Sequence, residues 1–236
     1  MTNRPDLSWR HFILPPIHNE GWKFVAVFAA ATFLLGMLSG FLGTLGFVLT
    51  AWCYYFFRDP KRAVPAGDSL VLSPADGTVS NICKMVPPAE MELGSEEMTR
   101  VSIFMSVFNV HVNRAPMSGK ILTSNYIKGA FVNVSLDKES ENNERNLLSM
   151  ETVTGQKIGF VQIAGLVARR IVTFVKPGDE IRAGERFGLI RFGSRLDVYI
   201  PADVAVKVQL GQTMVAGETI IADLNQKGES VTGDMI

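Results

Sequence analysis

The Gly193–Ser194 pair in RFGSRLDVYIP raises a chemical possibility, because a serine directly after a glycine can turn its hydroxyl back on the preceding carbonyl. Glycine has no Cβ to block that approach, and it tolerates backbone angles closed to other residues. The same dipeptide also makes an ordinary turn into a strand, and no G-x-S-x-G elbow surrounds it. Such a serine needs a group that moves protons. His111 is the one imidazole in the part of the chain that reads as globular, since His11 and His18 precede a long apolar run. In FMSVFNVHVNRAP, strand alternation puts Asn109, His111 and Asn113 on one face and Val110 and Val112 on the other, with Arg114 next. A strand histidine is equally at home as a hydrogen-bonded structural residue. Asp76 in SPADG offers a carboxylate, although Asp before Gly is first of all a turn. Cys53 and Cys83 suggest neither a disulfide framework nor, with the histidines, a metal-ligand spacing.

The scaffold for these residues begins with an uncharged run of 34 residues from Phe24 to Phe57. One spanning helix needs about 20 apolar residues. The run is long for one crossing and short for two, and Gly36, Gly40, Gly43 and Gly46 mark a break near its middle. It reads as a helical hairpin that dips into a bilayer, or as two short tilted spans. Basic residues lie on both sides, with Arg4, Arg10 and Lys23 before and Arg58, Lys61 and Arg62 after, which predicts that both ends face the cytoplasm. Trp52, Tyr54 and Tyr55 suit an interfacial boundary. A signal peptide fits poorly, because some twenty residues precede the core and no A-x-A-like site closes it. A buried hairpin of a soluble protein is the competing reading.

Beyond Pro60 the texture changes to short β-branched runs separated by Gly, Pro, Asn and Asp, which predicts a β-rich domain over 63–236 after an N-terminal segment over 1–62. The polar stretch SLDKESENNERN, from Ser135 to Asn146, reads as a loop or short helix. An internal repeat appears at an offset of 33, V-x-x-G-x-x-x-x-A-G-E, first from Val175 to Glu185 and again from Val208 to Glu218. Strand, glycine turn, short strand and second glycine turn resemble the barrel-sandwich architecture of lipoyl and biotinyl carrier domains. The expected fold class is therefore mainly β, a barrel sandwich with an N-terminal apolar helical hairpin. Lys plus Arg (23) balances Asp plus Glu (23), so charge gives no argument for a nucleic-acid partner.

Taken in order, FFRDPKR, SPADG, FMSVFNVHVNRAP, NNERN, QIAGLVARRIV and GERFGLIRFGSRLDVYIP, spanning Phe56 to Pro201, resemble the membrane-bound phosphatidylserine decarboxylases in their short bacterial and archaeal form. The resemblance implies that Ser194 attacks the Gly193 carbonyl, that the resulting ester undergoes β-elimination, and that a covalent pyruvoyl group is left in place of Ser194. The β chain would be residues 1–193 and the α chain residues 194–236, partners in a heterodimer and in any higher oligomer. The pyruvoyl carbonyl would take the amine of phosphatidylserine as a Schiff base and act as an electron sink for loss of carbon dioxide, giving phosphatidylethanolamine at a cell membrane, with the globular domain on its cytoplasmic side.

By the same resemblance His111 is the candidate for proton transfer, and Asp76 matches the aspartate of a self-cleaving triad. The longer forms carry a second histidine where this chain has Arg114. Arg114 is then a candidate for holding substrate carboxylate or phosphate, or else a structural ion-pair partner. Arg195, where the longer forms have threonine, places a cation beside the reacting serine or faces solvent. Two other readings stay open: a membrane-anchored lipoyl-like carrier, whose modifiable lysine Lys176 does not supply, and a pyruvoyl decarboxylase of a soluble amino acid, which would leave the apolar run without a use.

Overall fold

A computed structural model describes residues 15–130, 142–165, 170–191 and 193–228. Arg4, Arg10, His11, the start of the SLDKESENNERN stretch and residues 229–236 lie outside them. The chain divides into two compact units, Met1–Lys61 and Arg62–Ile236.

The first unit is a hairpin of two helices, α1 (Trp22–Leu38) and α2 (Gly40–Phe56). The turn falls on Ser39, whose extended backbone ends α1 and starts α2. Small residues let the two helices approach closely. A Cβ on Gly43 would stand 2.9 Å from Gly36 Cα, a Cβ on Gly46 would meet Thr32, and the Thr32 and Thr50 hydroxyls share a hydrogen bond of 2.9 Å. Two strand-like bonds close the base, His18 N–H to the Phe57 carbonyl and Asp59 N–H to the Pro16 carbonyl. His18 itself caps the turn of 3-10 helix at Asn19–Gly21 by accepting from Glu20 N–H. The segment Asn19–Leu38 is long and apolar enough to cross a membrane, and α2 is shorter. Phe33, Leu38 and Phe41 are at least 70% exposed, so this hairpin does not bury its apolar surface as a soluble core hairpin would.

The second unit is mainly β. Its large sheet has eight strands: β2 (Gly77–Met85), β3 (Met98–Met105), β5 (Gly119–Ile127), β6 (Arg145–Thr152), β7 (Lys157–Ala164), β9 (Glu180–Ile181), β11 (Ser194–Pro201) and β13 (Thr213–Met214). Their order is β13-β2-β3-β11-β7-β6-β5-β9, with all pairings antiparallel. Two three-stranded sheets complete the unit. One joins β1 (Leu70–Leu72), β14 (Ile220–Lys227) and β12 (Val204–Val206), and the other joins β4 (Val112–Arg114), β10 (Arg186–Ile190) and β8 (Ile171–Thr173). Residues Arg145 and Asn146, at the end of the stretch expected to be loop or helix, already belong to β6.

Central strands β3 and β11 bury both faces. Val101, Ile103, Leu196, Val198 and Ile200 face the main core, where Phe160 of the large sheet meets Phe187 of β10 edge to face at 4.8 Å. The opposite face of β11 carries a smaller cluster built on Met91, Leu147, Val161 and Tyr199.

The internal repeat sets the two ends of the large sheet. Gly178 and Gly211 have φ of 96° and 81°, Gly184 and Gly217 have φ of 74° and 75°, and the short strands β9 and β13 lie between them. Each half zips onto a different long strand. Val79 N–H donates to Gln212 O and Gly211 N–H to Val79 O, while Ile121 N–H donates to Asp179 O and Gly178 N–H to Ile121 O. The partners differ by 42 residues on the long strands and 33 on the short ones, so SPADG before β2 has a counterpart in Ala115-Pro-Met-Ser-Gly119 before β5.

Candidate active site

Ser194 opens β11 between β3 and β7, paired with Met105 on one side and Ala164 on the other. It is fully buried, and its hydroxyl lies 3.3 Å from the Met105 sulfur. Gly193 before it has φ of 57°, a left-handed conformation costing other L residues about 1–2 kcal/mol, while a Cβ there would meet nothing within 4 Å. Glycine is thus needed at 193 for its backbone and not for space. The Gly193 carbonyl accepts from Gly165 N–H at 3.0 Å.

His111 lies just ahead of β4, and Asn109 sits in a turn where its side chain accepts from Ser106 N–H, so the two do not share strand alternation with Asn113. β4 pairs with β10, and Ile190 N–H donates to the His111 carbonyl four residues ahead of Ser194. His111 is 2% exposed, and its Nδ1 lies 3.0 Å from the Asn109 carbonyl. A carbonyl can only accept, so in the neutral ring Nδ1 carries the proton and Nε2 keeps the basic lone pair. Asn113 is fully buried and its amide lies 3.8 Å from the Met105 sulfur. Met105 therefore brings together the VHVNR segment and Ser194.

Behind Asn113 stands a polar network that the sequence reading did not single out. Gln162 donates to Asn113 Oδ1 at 2.8 Å, and Asn146 donates to Gln162 Oε1 at 3.3 Å and to Thr173 Oγ1 at 2.8 Å. Gln162, Asn146 and Thr173 come from β7, β6 and β8, so the network joins the large sheet to the small one. Polar residues at inward positions of otherwise apolar strands were the available signal.

Asp76 and Arg114 are engaged differently from Ser194 and His111. Asp76 receives Arg62 Nη2 on both oxygens, at 2.8 and 2.7 Å, and Ala216 N–H at 2.8 Å. Arg114 is 5% exposed, and its guanidinium donates to the Gly184 carbonyl at 2.9 Å. Arg195 does not face solvent. It is 3% exposed on the opposite face of β11 from Ser194, and it grips Asp197 through two bonds of 2.7 and 2.8 Å. The alternation of β11 explains this, because Arg195 and Asp197 share the face that Ser194 and Leu196 do not.

Residues 49–222 match the family model for phosphatidylserine decarboxylase. The chain is similar to the phosphatidylserine decarboxylase proenzyme of Ruegeria pomeroyi, 58% identical over 92% of this chain and 100% of that protein. It is also similar to those of Rickettsia bellii and Rickettsia akari, each 57% identical over 89% of this chain and 91% of theirs.

Proposed function

The chain belongs to the phosphatidylserine decarboxylase family and is an enzyme, a carboxy-lyase; from that premise we propose that it is a proenzyme that cleaves itself between Gly193 and Ser194. The products are a β chain of residues 1–193, an α chain of residues 194–236 and a pyruvoyl group in place of Ser194.

The observation that carries this reading is the setting of one peptide bond. Gly193 is held left-handed with open space where a Cβ would be, its carbonyl takes the Gly165 N–H, and Ser194 is buried on a strand paired on both sides, so a buried hydroxyl is held beside a carbonyl of fixed orientation. The donor set fits a pyruvoyl group at this position, since the neighbours are the Met105 thioether at the Ser194 hydroxyl and the Gly165 amide N–H at the Gly193 carbonyl, neither of which attacks a ketone. When formed, that group supplies the carbonyl that takes the substrate amine and draws off the electron pair as carbon dioxide leaves. His111, with its basic Nε2, is proposed to move the protons. Asn113 and Met105 position Ser194. Asp76 and Arg114 hold the turns around Gly184 and Gly217 in this reading. The hairpin Trp22–Phe56 seats the enzyme in the membrane that contains its phospholipid substrate, with the β-rich unit on the cytoplasmic side.

Intact mass spectrometry of the purified full-length protein tests the reading. Two chains split between residues 193 and 194 are expected, the smaller one refractory to Edman degradation, and Ser194→Ala should stay whole and inactive. A wild-type protein that decarboxylates phosphatidylserine while remaining one chain would overturn it.

A further inference from the structure

We propose that the Gly165 backbone N–H is the oxyanion donor for self-cleavage and that Asn143 positions it. The inference rests on the self-cleavage reading above. Gly165 N–H donates to the Gly193 carbonyl oxygen at 3.0 Å, and that oxygen belongs to the bond to be broken. The donor belongs to a peptide unit held at its other end. The carbonyl of that unit, Ala164 O, accepts from Asn143 Nδ2 at 2.8 Å, and Asn143 is fully buried. Ala164 N–H is bonded in turn to the Glu144 carbonyl at 2.9 Å, so the NNERN segment fixes the end of β7 on both sides of the residue. A hydrogen bond accepted by an amide oxygen polarises the N–H of the same unit, which strengthens the donor aimed at Gly193.

The steps balance as follows. The Ser194 hydroxyl gives its proton to a base, and Oγ bonds to the Gly193 carbonyl carbon. The C=O π pair moves onto oxygen, where the Gly165 N–H stabilises the negative charge without having to reorient. The pair returns, the C–N bond breaks, and the nitrogen takes a proton, leaving a Gly193–Ser194 ester. Loss of the Ser194 Cα proton expels Gly193 as a carboxylate, and the enamine left behind tautomerises and reacts with water to give ammonia and the pyruvoyl group. The donor acts in the first of these stages, before the ester exists.

This timing separates a donor from a merely structural residue. Replacing Gly165 by glycolate turns the N–H into an ester oxygen, and the replacement is expected to slow chain splitting about 100-fold. Asn143→Ala is expected to slow it about tenfold through loss of alignment. Neither defect should be relieved by hydroxylamine, because the ester that hydroxylamine attacks does not accumulate. In full-length Ser194→Ala, which remains intact, the Gly165 amide should be strongly protected from hydrogen exchange, a measurement independent of whether the ester variant folds. A wild type that never splits refutes the self-cleavage reading itself. A wild type that splits while the folded glycolate variant splits at the same rate, an exchange-labile Gly165 amide, or rescue by hydroxylamine overturns the donor alone.

Discussion

Asp76 and Ser118 do the same work in the two halves of the barrel sandwich: each carries a side-chain oxygen that accepts the alanine N–H of an Ala-Gly-Glu turn. Asp76 takes Ala216 N–H at 2.8 Å, and Ser118 takes Ala183 N–H at 2.9 Å. The correspondence extends to the backbone, where Leu72 N–H bonds Pro116 O and Arg114 N–H bonds Pro74 O. A residue whose symmetry mate is a serine in a half without the scissile bond has a structural reason to be there.

That relationship makes Asp76 testable. Asp76→Ala removes the turn acceptor and strands Arg62, whose side chain is 11% exposed, and should cost about 3 kcal/mol. The double variant Arg62→Leu with Asp76→Ser copies the Ser118 half and should recover most of that loss in thermal melts, with chain splitting retained. A double variant that melts like wild type but does not split would show that the carboxylate takes part in the chemistry.

The buried pair behind the serine gives a second prediction. Arg195 and Asp197 are 3% and 2% exposed, so Arg195→Ala leaves a carboxylate buried without its partner and should destabilise by about 3–5 kcal/mol. Arg195→Met with Asp197→Leu removes both charges and should be much less destabilised than either single change. If the double variant is stable yet splits slowly, the pair also sets the position of Ser194 on the strand.

Tyr199 lies on the same face as that pair and makes stability fall at alkaline pH. Burial, and then the nearby Asp197 charge, push its phenol up to about 12, while Arg100 and Arg195 pull the other way. The folded state thus holds this proton more tightly than the unfolded chain, whose tyrosine titrates near 10. Between about pH 10 and pH 12 the unfolded state loses the proton first, and the stabilisation present below that window, up to about 3 kcal/mol, is lost as pH rises. Tyr199→Phe should flatten this part of the stability profile, measured by denaturation with tyrosinate absorbance followed in parallel. An unchanged slope would place the proton loss on another group.

Much of this was legible because it depends on local rules. Glycine spacing in the A-G-E repeat required left-handed turns at Gly178, Gly184, Gly211 and Gly217, and all four have positive φ. The apolar run gave a hairpin, although the break falls on Ser39 and the glycines serve mainly in the contact between its helices. What was not legible came from strand pairing across distance. Nothing local to Gly165 shows that its N–H meets Gly193 O, since that bond follows from the register placing Ser194 opposite Ala164. The burial of Arg195 is not legible in the sequence, because alternation assigns faces without showing that both faces of a central strand are covered.

The polar network behind Asn113 yields the prediction that bears most directly on positioning. Gln162 is fully buried, donating to Asn113 and accepting from Asn146, and Asn113 in turn approaches the Met105 sulfur that Ser194 Oγ touches. Gln162→Leu keeps the volume but takes from Asn113 Oδ1 its donor and from Asn146 one acceptor, an expected cost of about 1–3 kcal/mol and a melting shift of roughly 5 °C. Thr173→Val removes the 2.8 Å acceptor of Asn146 and a 3.5 Å donor to Gln162 Oε1 but leaves the bond from Gln162 to Asn113, and should cost a similar shift. The two variants should differ in chain splitting. Releasing Asn113 frees Met105 to repack against Ser194, so Gln162→Leu should split more slowly than Thr173→Val at matched stability. Splitting rates that simply follow melting temperature across the two would mean that the network only holds the sheets together and does not aim the serine.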